Sequence, residues 1–135
     1  MVGQTFFAEL IGTFMLVSFI LCIKYHNGAK DDLINAIGVS VILYGMIFLT
    51  QGISSGCLNP AVGLVQSIFQ YIIFKNVKGP SLTLKSLWIY ILGPLTGGII
   101  AGLWSKIHEF NMQEADVQKH LTSKIEPQRI NPSSY

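Results

Sequence analysis

Apolar positions dominate this chain in three long blocks, separated by short polar stretches. Residues 10–23, 33–74 and 86–105 contain no Asp, Glu, Lys or Arg. The first block, Thr5 to Ile23, is 19 residues long, about enough to cross a hydrocarbon core of ~30 Å. A signal peptide fits it poorly, because no Lys or Arg precedes it and Glu9 interrupts it. A polar link, Lys24 to Asp32, follows.

The second block decides the architecture. Leu33 to Phe74 is 42 uncharged residues, and as one helix it would measure roughly 63 Å, twice the core thickness. It must therefore break. The segment Gly52-Ile53-Ser54-Ser55-Gly56-Cys57-Leu58-Asn59-Pro60 has the composition of a loop. Leu33 to Gln51, before it, is long enough to span. Ala61 to Phe74, after it, is 14 residues, too short to span comfortably. Non-helical backbone at membrane depth is tolerated only where protein buries it or water lines it. The pattern thus predicts a loop that dips in and a half-helix that returns to the same side. Asn59 takes the N-cap and Pro60 the first helical position.

The third block, Ser86 to Ser105, is a further span, with Trp88, Tyr90 and Trp104 near its ends. Pro94 is expected to kink it. The fold class is therefore an all-α membrane protein. It has three transmembrane helices (about 5–23, 33–52 and 86–105) and one re-entrant loop and half-helix (about 53–74). The polar tail, Lys106 to Tyr135, carries eight charged residues. It is expected to begin as a short helix and to fray after Pro127.

Composition reinforces the membrane reading. Half of the residues are hydrophobic and 12% are charged, against about 25% in soluble domains. The net charge of +2 and the lack of a Lys/Arg run argue against a nucleic-acid partner. Cys22 and Cys57 offer neither metal spacing nor a disulfide framework, so no metal or other cofactor is expected. With re-entry, the link and tail share one side, holding Lys24, Lys30, Lys106, Lys119, Lys124 and Arg129. Lys75, Lys78 and Lys85 lie opposite. Six against three places link and tail in the cytoplasm.

Three features carry chemistry. Glu9 is the only formal charge inside a span. Its insertion costs about 2.5–3.5 kcal/mol even on lenient scales, so it is expected to accept hydrogen bonds from loop backbone inside the protein. The alternative is a position near enough to the interface to reach water. Gly38/Gly45/Gly52, Gly93/Gly97 and Gly98/Gly102 are three small-residue faces that would let helix backbones approach closely. Finally, a half-helix beginning at Asn59-Pro60-Ala61 aims its positive dipole end and free N–H groups inward. Such a site donates hydrogen bonds to a neutral polar solute and repels cations, protons included.

These residues resemble the aquaporin, or major intrinsic protein, family. Ala8-Glu9-Leu10-Ile11-Gly12-Thr13-Phe14 is similar to the family's repeat-opening helix with its buried Glu. Ser55-Gly56-Cys57-Leu58-Asn59-Pro60-Ala61-Val62 is similar to its pore loop. Trp88-Ile89-Tyr90 with Gly93-Pro94-Leu95 and Gly97-Gly98 is similar to its last helix. The resemblance covers roughly residues 5–107 and implies a domain at 1–107, the second of the family's two inverted repeats, with a polar cytoplasmic tail at 108–135. One repeat cannot enclose the family's pore, so the resemblance implies either a fragment or a half that pairs with a first-repeat half.

The resemblance also assigns roles. Asn59, Pro60 and Ala61 form the pore motif. Val62, Gly56 and Ile47 (or Met46) form the selectivity constriction, Glu9 supports the loop, and Cys57 lies near the family's pore thiol. Water-selective members carry Arg where this chain has Val62, whereas tonoplast-type members carry Val. The implied function is a passive, non-enzymatic channel for water and small neutral solutes, extending to urea, glycerol or ammonia. It would sit in a plasma or vacuolar-type membrane, as a tetramer. The rival readings are a non-conducting truncated subunit that assembles with full-length channels, and a fragment of a secondary transporter.

Overall fold

A computed structural model describes residues 2–74 and 86–130. Lys75, Lys78 and Lys85, which weigh in the charge asymmetry, lie outside the described residues. So do the last five residues of the tail.

All regular structure among the described residues is helical. Helix α1 runs Val2–Cys22 and ends in a π-helical turn, Ile23–Asn27. Helix α2 is Asp32–Ser54, α3 is Pro60–Phe74 and α4 is Leu87–Ile130. Three of these are long and apolar enough to cross a membrane, over Val2–Tyr25, Asp32–Ser54 and Leu87–Ser123. Helix α3 is the short one, 15 residues or about 22 Å.

The start of α2 follows from local chemistry. Asp31 is extended and its carboxylate accepts from the Leu33 N–H at 2.8 Å, a conventional N-cap. In the preceding link, the Asn35 side chain accepts from the Ala29 N–H (2.9 Å) and donates to the Ala29 carbonyl (2.8 Å). This closes the turn between α1 and α2.

Helix α1 is the hub. It packs on α2 along one side and on α4 along the other, while α3 packs on α4. The α1–α4 seam is held close by glycine. A Cβ at Gly97 would run into the Leu10 carbonyl and lie 3.1 Å from the Phe14 nitrogen. One at Gly93 would lie 2.9 Å from the Glu9 Cβ and 3.3 Å from the Phe6 carbonyl. Phe6 and Trp88 close one end of the seam, ring centroids 5.9 Å apart.

Of the three glycine faces expected from spacing, Gly93/Gly97 is the one that is tight among the described residues. Gly38 makes ordinary contact with Phe19 and Ile23 at 3.6 Å, whereas Gly45, Gly52, Gly98 and Gly102 have nothing within 4 Å. The expectation of three tight faces within the chain is thus corrected to one. Spacing along a helix shows which glycines share a face; it does not show which face meets a neighbour.

The last helix is also longer than expected. It spans 44 residues without interruption, about 66 Å, passes through the buried Pro94, and continues past Pro127 to Ile130. Among the described residues no break separates a tail helix from the span. Between Leu103 and Glu126 there is neither Gly nor Pro, so nothing in that stretch stops a helix already under way.

Burial is inverted relative to a water-soluble core. Buried residues include Glu9, Thr13, Thr50, Ser54 and Ser67, whereas most large apolar side chains are exposed. That is the distribution of a bundle whose outside is hydrocarbon.

Candidate functional site

The site is built where α2 ends and α3 begins. At the C-terminus of α2, Ser55 enters the left-handed region (φ 71°) and its N–H returns to the Gln51 carbonyl at 3.2 Å. Gly56 (φ 64°) and Leu58 (φ 49°) are left-handed too. Left-handed backbone at Ser55 and Leu58 costs on the order of 1–3 kcal/mol each, and it persists only where surroundings over-determine it. Several contacts supply that constraint.

The strongest comes from α1. Glu9 is fully buried, and its two carboxylate oxygens accept one loop N–H each. Oε1 takes Cys57 N–H at 3.1 Å and Oε2 takes Leu58 N–H at 2.7 Å. Charge-assisted bonds of this kind are roughly twice as strong as neutral ones. They satisfy a carboxylate that would otherwise be very costly to bury. Directly above, Leu58 packs into the space left by Gly12: a Cβ there would lie 2.5 Å from the Leu58 Cδ2.

Helix α2 supplies the floor. Gly56 sits against the backbone of Ile47, with the place of a Cβ 3.1 Å from the Ile47 carbonyl and 3.2 Å from Thr50 Oγ1. Ser54 Oγ donates to the Thr50 carbonyl (3.3 Å) and accepts from the Gly56 N–H (3.4 Å). Thr5 Oγ1 donates to the Ile53 carbonyl at 3.4 Å, tying the end of α2 to α1.

Helix α3 then starts from this clamped loop. Asn59 Oδ1 accepts from the Ala61 N–H at 2.9 Å, and the Asn59 carbonyl takes Gly63 N–H at 3.0 Å. Pro60, the first helical residue, has no N–H to satisfy. Gly63 lets α3 lie on α4, since a Cβ there would be 2.6 Å from the Tyr90 Cβ. The consequence is chemical. Neither Asn59 Nδ2 nor the Val62 N–H has an acceptor among the described residues, and both Asn59 and Val62 are exposed. The start of α3 therefore presents donors, backed by the helix dipole.

The residues singled out by sequence thus occupy one neighbourhood in three layers. Glu9 holds the loop at Cys57 and Leu58, and Gly56 is buried against Ile47. Asn59, Ala61 and Val62 are exposed above. Of the two residues left open on α2, Ile47 is the one whose backbone meets Gly56. Cys57 is half-buried and its Sγ donates to Gln66 Oε1 at 3.5 Å.

Sequence reasoning missed a polar cluster behind the loop. Ser55, Cys57, Gln66, Ser67, Gln70 and Tyr90 line a cavity of about 40 Å³. Gln70 Oε1 is buried there without a hydrogen-bond partner among the described residues. The readable signal was Gln66 and Gln70, four apart and hence on one face of an apolar half-helix.

Comparison with known proteins identifies the family. The sequence profile of the Major intrinsic protein family matches residues 1–105. The chain belongs to that family. With three spanning-length apolar helices, this major intrinsic protein is an integral membrane protein.

Among its relatives is glycerol uptake facilitator protein-like 6 of Lactiplantibacillus plantarum, 30% identical over 105 residues, covering 78% of this chain and 44% of that protein. The probable aquaporin NIP4-2 of Arabidopsis thaliana is 32% identical over 104 residues, or 74% of this chain and 31% of that one. Aquaporin C of Dictyostelium discoideum is 34% identical over 110 residues, 78% and 35% respectively. The chain thus spans less than half the length of the curated relatives it matches. No solved structure matches significantly.

Proposed function

We propose that this chain forms one half of a passive pore for water and small neutral solutes, with the start of α3 as its solute-facing element. The observation that carries the reading is the Glu9 clamp. By holding Cys57 and Leu58, it fixes the loop so that Asn59 Nδ2 and Val62 N–H stay available as donors. A neutral solute oxygen accepts from such donors, and the positive end of α3 opposes cations and protons. No step in this passage makes or breaks a covalent bond, so the proposal is transport and not catalysis.

In this reading the chain is the family's second repeat. The loop re-enters the bilayer at 53–74, α3 begins near the midplane, and link and tail face the cytoplasm, in keeping with the Lys/Arg asymmetry. Val62, apolar where Arg would add a charge, widens the constriction it shares with Gly56 and Ile47. That favours solutes of urea, glycerol or ammonia size alongside water.

A second reading is favoured by one observation: Asn59, Ala61 and Val62 all lie on surface left exposed among the described residues. The chain would then conduct only when another half, or a full-length channel, closes over that surface. Stopped-flow shrinkage of liposomes holding the purified chain separates the two readings. Water permeability clearly above that of bare lipid means that copies of this chain complete the pore between them and supports the first; none above bare lipid leaves closure to another half and supports the second.

A further inference from the structure

The part of α4 beyond the expected span carries an apolar stripe that the pore does not use. Ile107, Phe110, Val117 and Leu121 are 60%, 61%, 58% and 48% exposed. Their spacing alternates three and four residues, with Glu114 completing the series, and it continues in register from the exposed Ile100 and Leu103. A repeat of 3.5 residues over three heptads is the spacing of a coiled-coil seam.

Two candidate occupants differ in what they require of the helix. To lie on lipid, this segment would have to turn away from the span. Instead α4 is one continuous helix from Leu87 to Ile130, with no Gly or Pro between Leu103 and Glu126 to turn it. Lys106 to Ile130 therefore stands off the bilayer by up to about 37 Å. Helices in proteins draw most of their stability from packing an apolar face rather than from propensity, and an apolar stripe on a helix standing in water calls for a protein surface.

We propose that the occupant is the same segment of a second copy, paired in parallel. Copies inserted alike in one membrane present their tails side by side in the same direction, so equivalent residues face each other. The flanking positions permit this. Lys106 falls opposite Asn111 of the second copy, and Gln113 opposite Gln118, so no like charges meet beside the seam. Covering the four side chains on both copies removes on the order of 1,000 Å² of surface, the least a specific interface needs. Glu114, facing its own copy across the seam, is the one unfavourable member. It keeps the pairing weak and its register single. This inference does not depend on which solute passes.

Disulfide trapping in the full chain tests it. Val117→Cys lies on the seam, Met112→Cys on the outer face, and the parent with Cys22 and Cys57 is the control. In reconstituted bilayers under mild oxidation, Val117→Cys should cross-link roughly tenfold faster than Met112→Cys. Equal rates, or no cross-linking above the parent, overturn the pairing, as does quenching of a label at 117 by lipid-borne quencher. A second measurement needs no new cysteine. Glu114→Leu should tighten self-association in detergent about tenfold, as removing a like-charge pair from a seam implies. Unchanged association overturns the seam assignment.

Discussion

Glu9 Oε2 accepts the backbone N–H of Leu58 at 2.7 Å, across 49 positions of sequence. Through that bond and its neighbour to Cys57, a carboxylate in the second turn of one helix sets the geometry at the start of another. Glu9 is a positioning residue, and its loss should be felt at Asn59 before it is felt in the helices. Glu9→Gln keeps the shape but turns one acceptor into a donor facing an N–H. We expect the fold to lose about 1–3 kcal/mol and solute flux to fall at least about tenfold. Thermal unfolding in detergent and liposome shrinkage would read the two effects. Flux unchanged in a folded variant would show that the clamp is not needed for conduction.

Gly12 and Gly97 are tight for different reasons, and substitutions should separate them. Gly12→Ala pushes on the Leu58 side chain, which can yield. Gly97→Ala pushes on the Leu10 backbone carbonyl, which cannot. Gly97→Ala should therefore cost more, about 1–3 kcal/mol or above. Gly98→Ala and Gly102→Ala, with nothing within 4 Å, should leave the melting temperature of the isolated chain unchanged. A Gly98 variant as damaging as the Gly97 one would contradict the packing described.

Asn59 has two separable tasks. Its Oδ1 caps α3 and its Nδ2 is a free donor. Asn59→Asp retains the acceptor and removes the donor, so stability should hold within about 0.5 kcal/mol while solute flux falls. Asn59→Ala removes both and should also lose about 1 kcal/mol. Identical profiles for the two variants would deny the donor a role of its own.

Val62→Arg adds length and a fixed charge at the exposed start of α3. In a conducting assembly it should suppress urea-sized solutes more than water. Parallel urea and water shrinkage assays measure the ratio, and an equal loss of both would remove Val62 from the constriction.

The elements were readable because their causes are local. Apolar runs of spanning length and the Asn59-Pro60 start both act within a few residues. The site was readable only in part. Asn59 and Val62 stand in one motif, but the cavity lined by Cys57, Gln66, Gln70 and Tyr90 needs α3 laid on α4 at Gly63. The length of α4 was misjudged because polar composition after Ser105 suggests a change of solvent, and a helix need not end where its solvent changes.

By itself, the sequence determined that the chain must break within its 42 uncharged residues, since no bilayer accommodates a straight helix of that length. It also determined that a buried carboxylate needs donors. Only the tertiary structure decided which donors these are, Cys57 and Leu58. It also decided which glycine face carries the α1–α4 seam and which side of Asn59 is left open. Those choices depend on helices meeting at defined depths and rotations, and residues 49 apart meet only when packing brings them together.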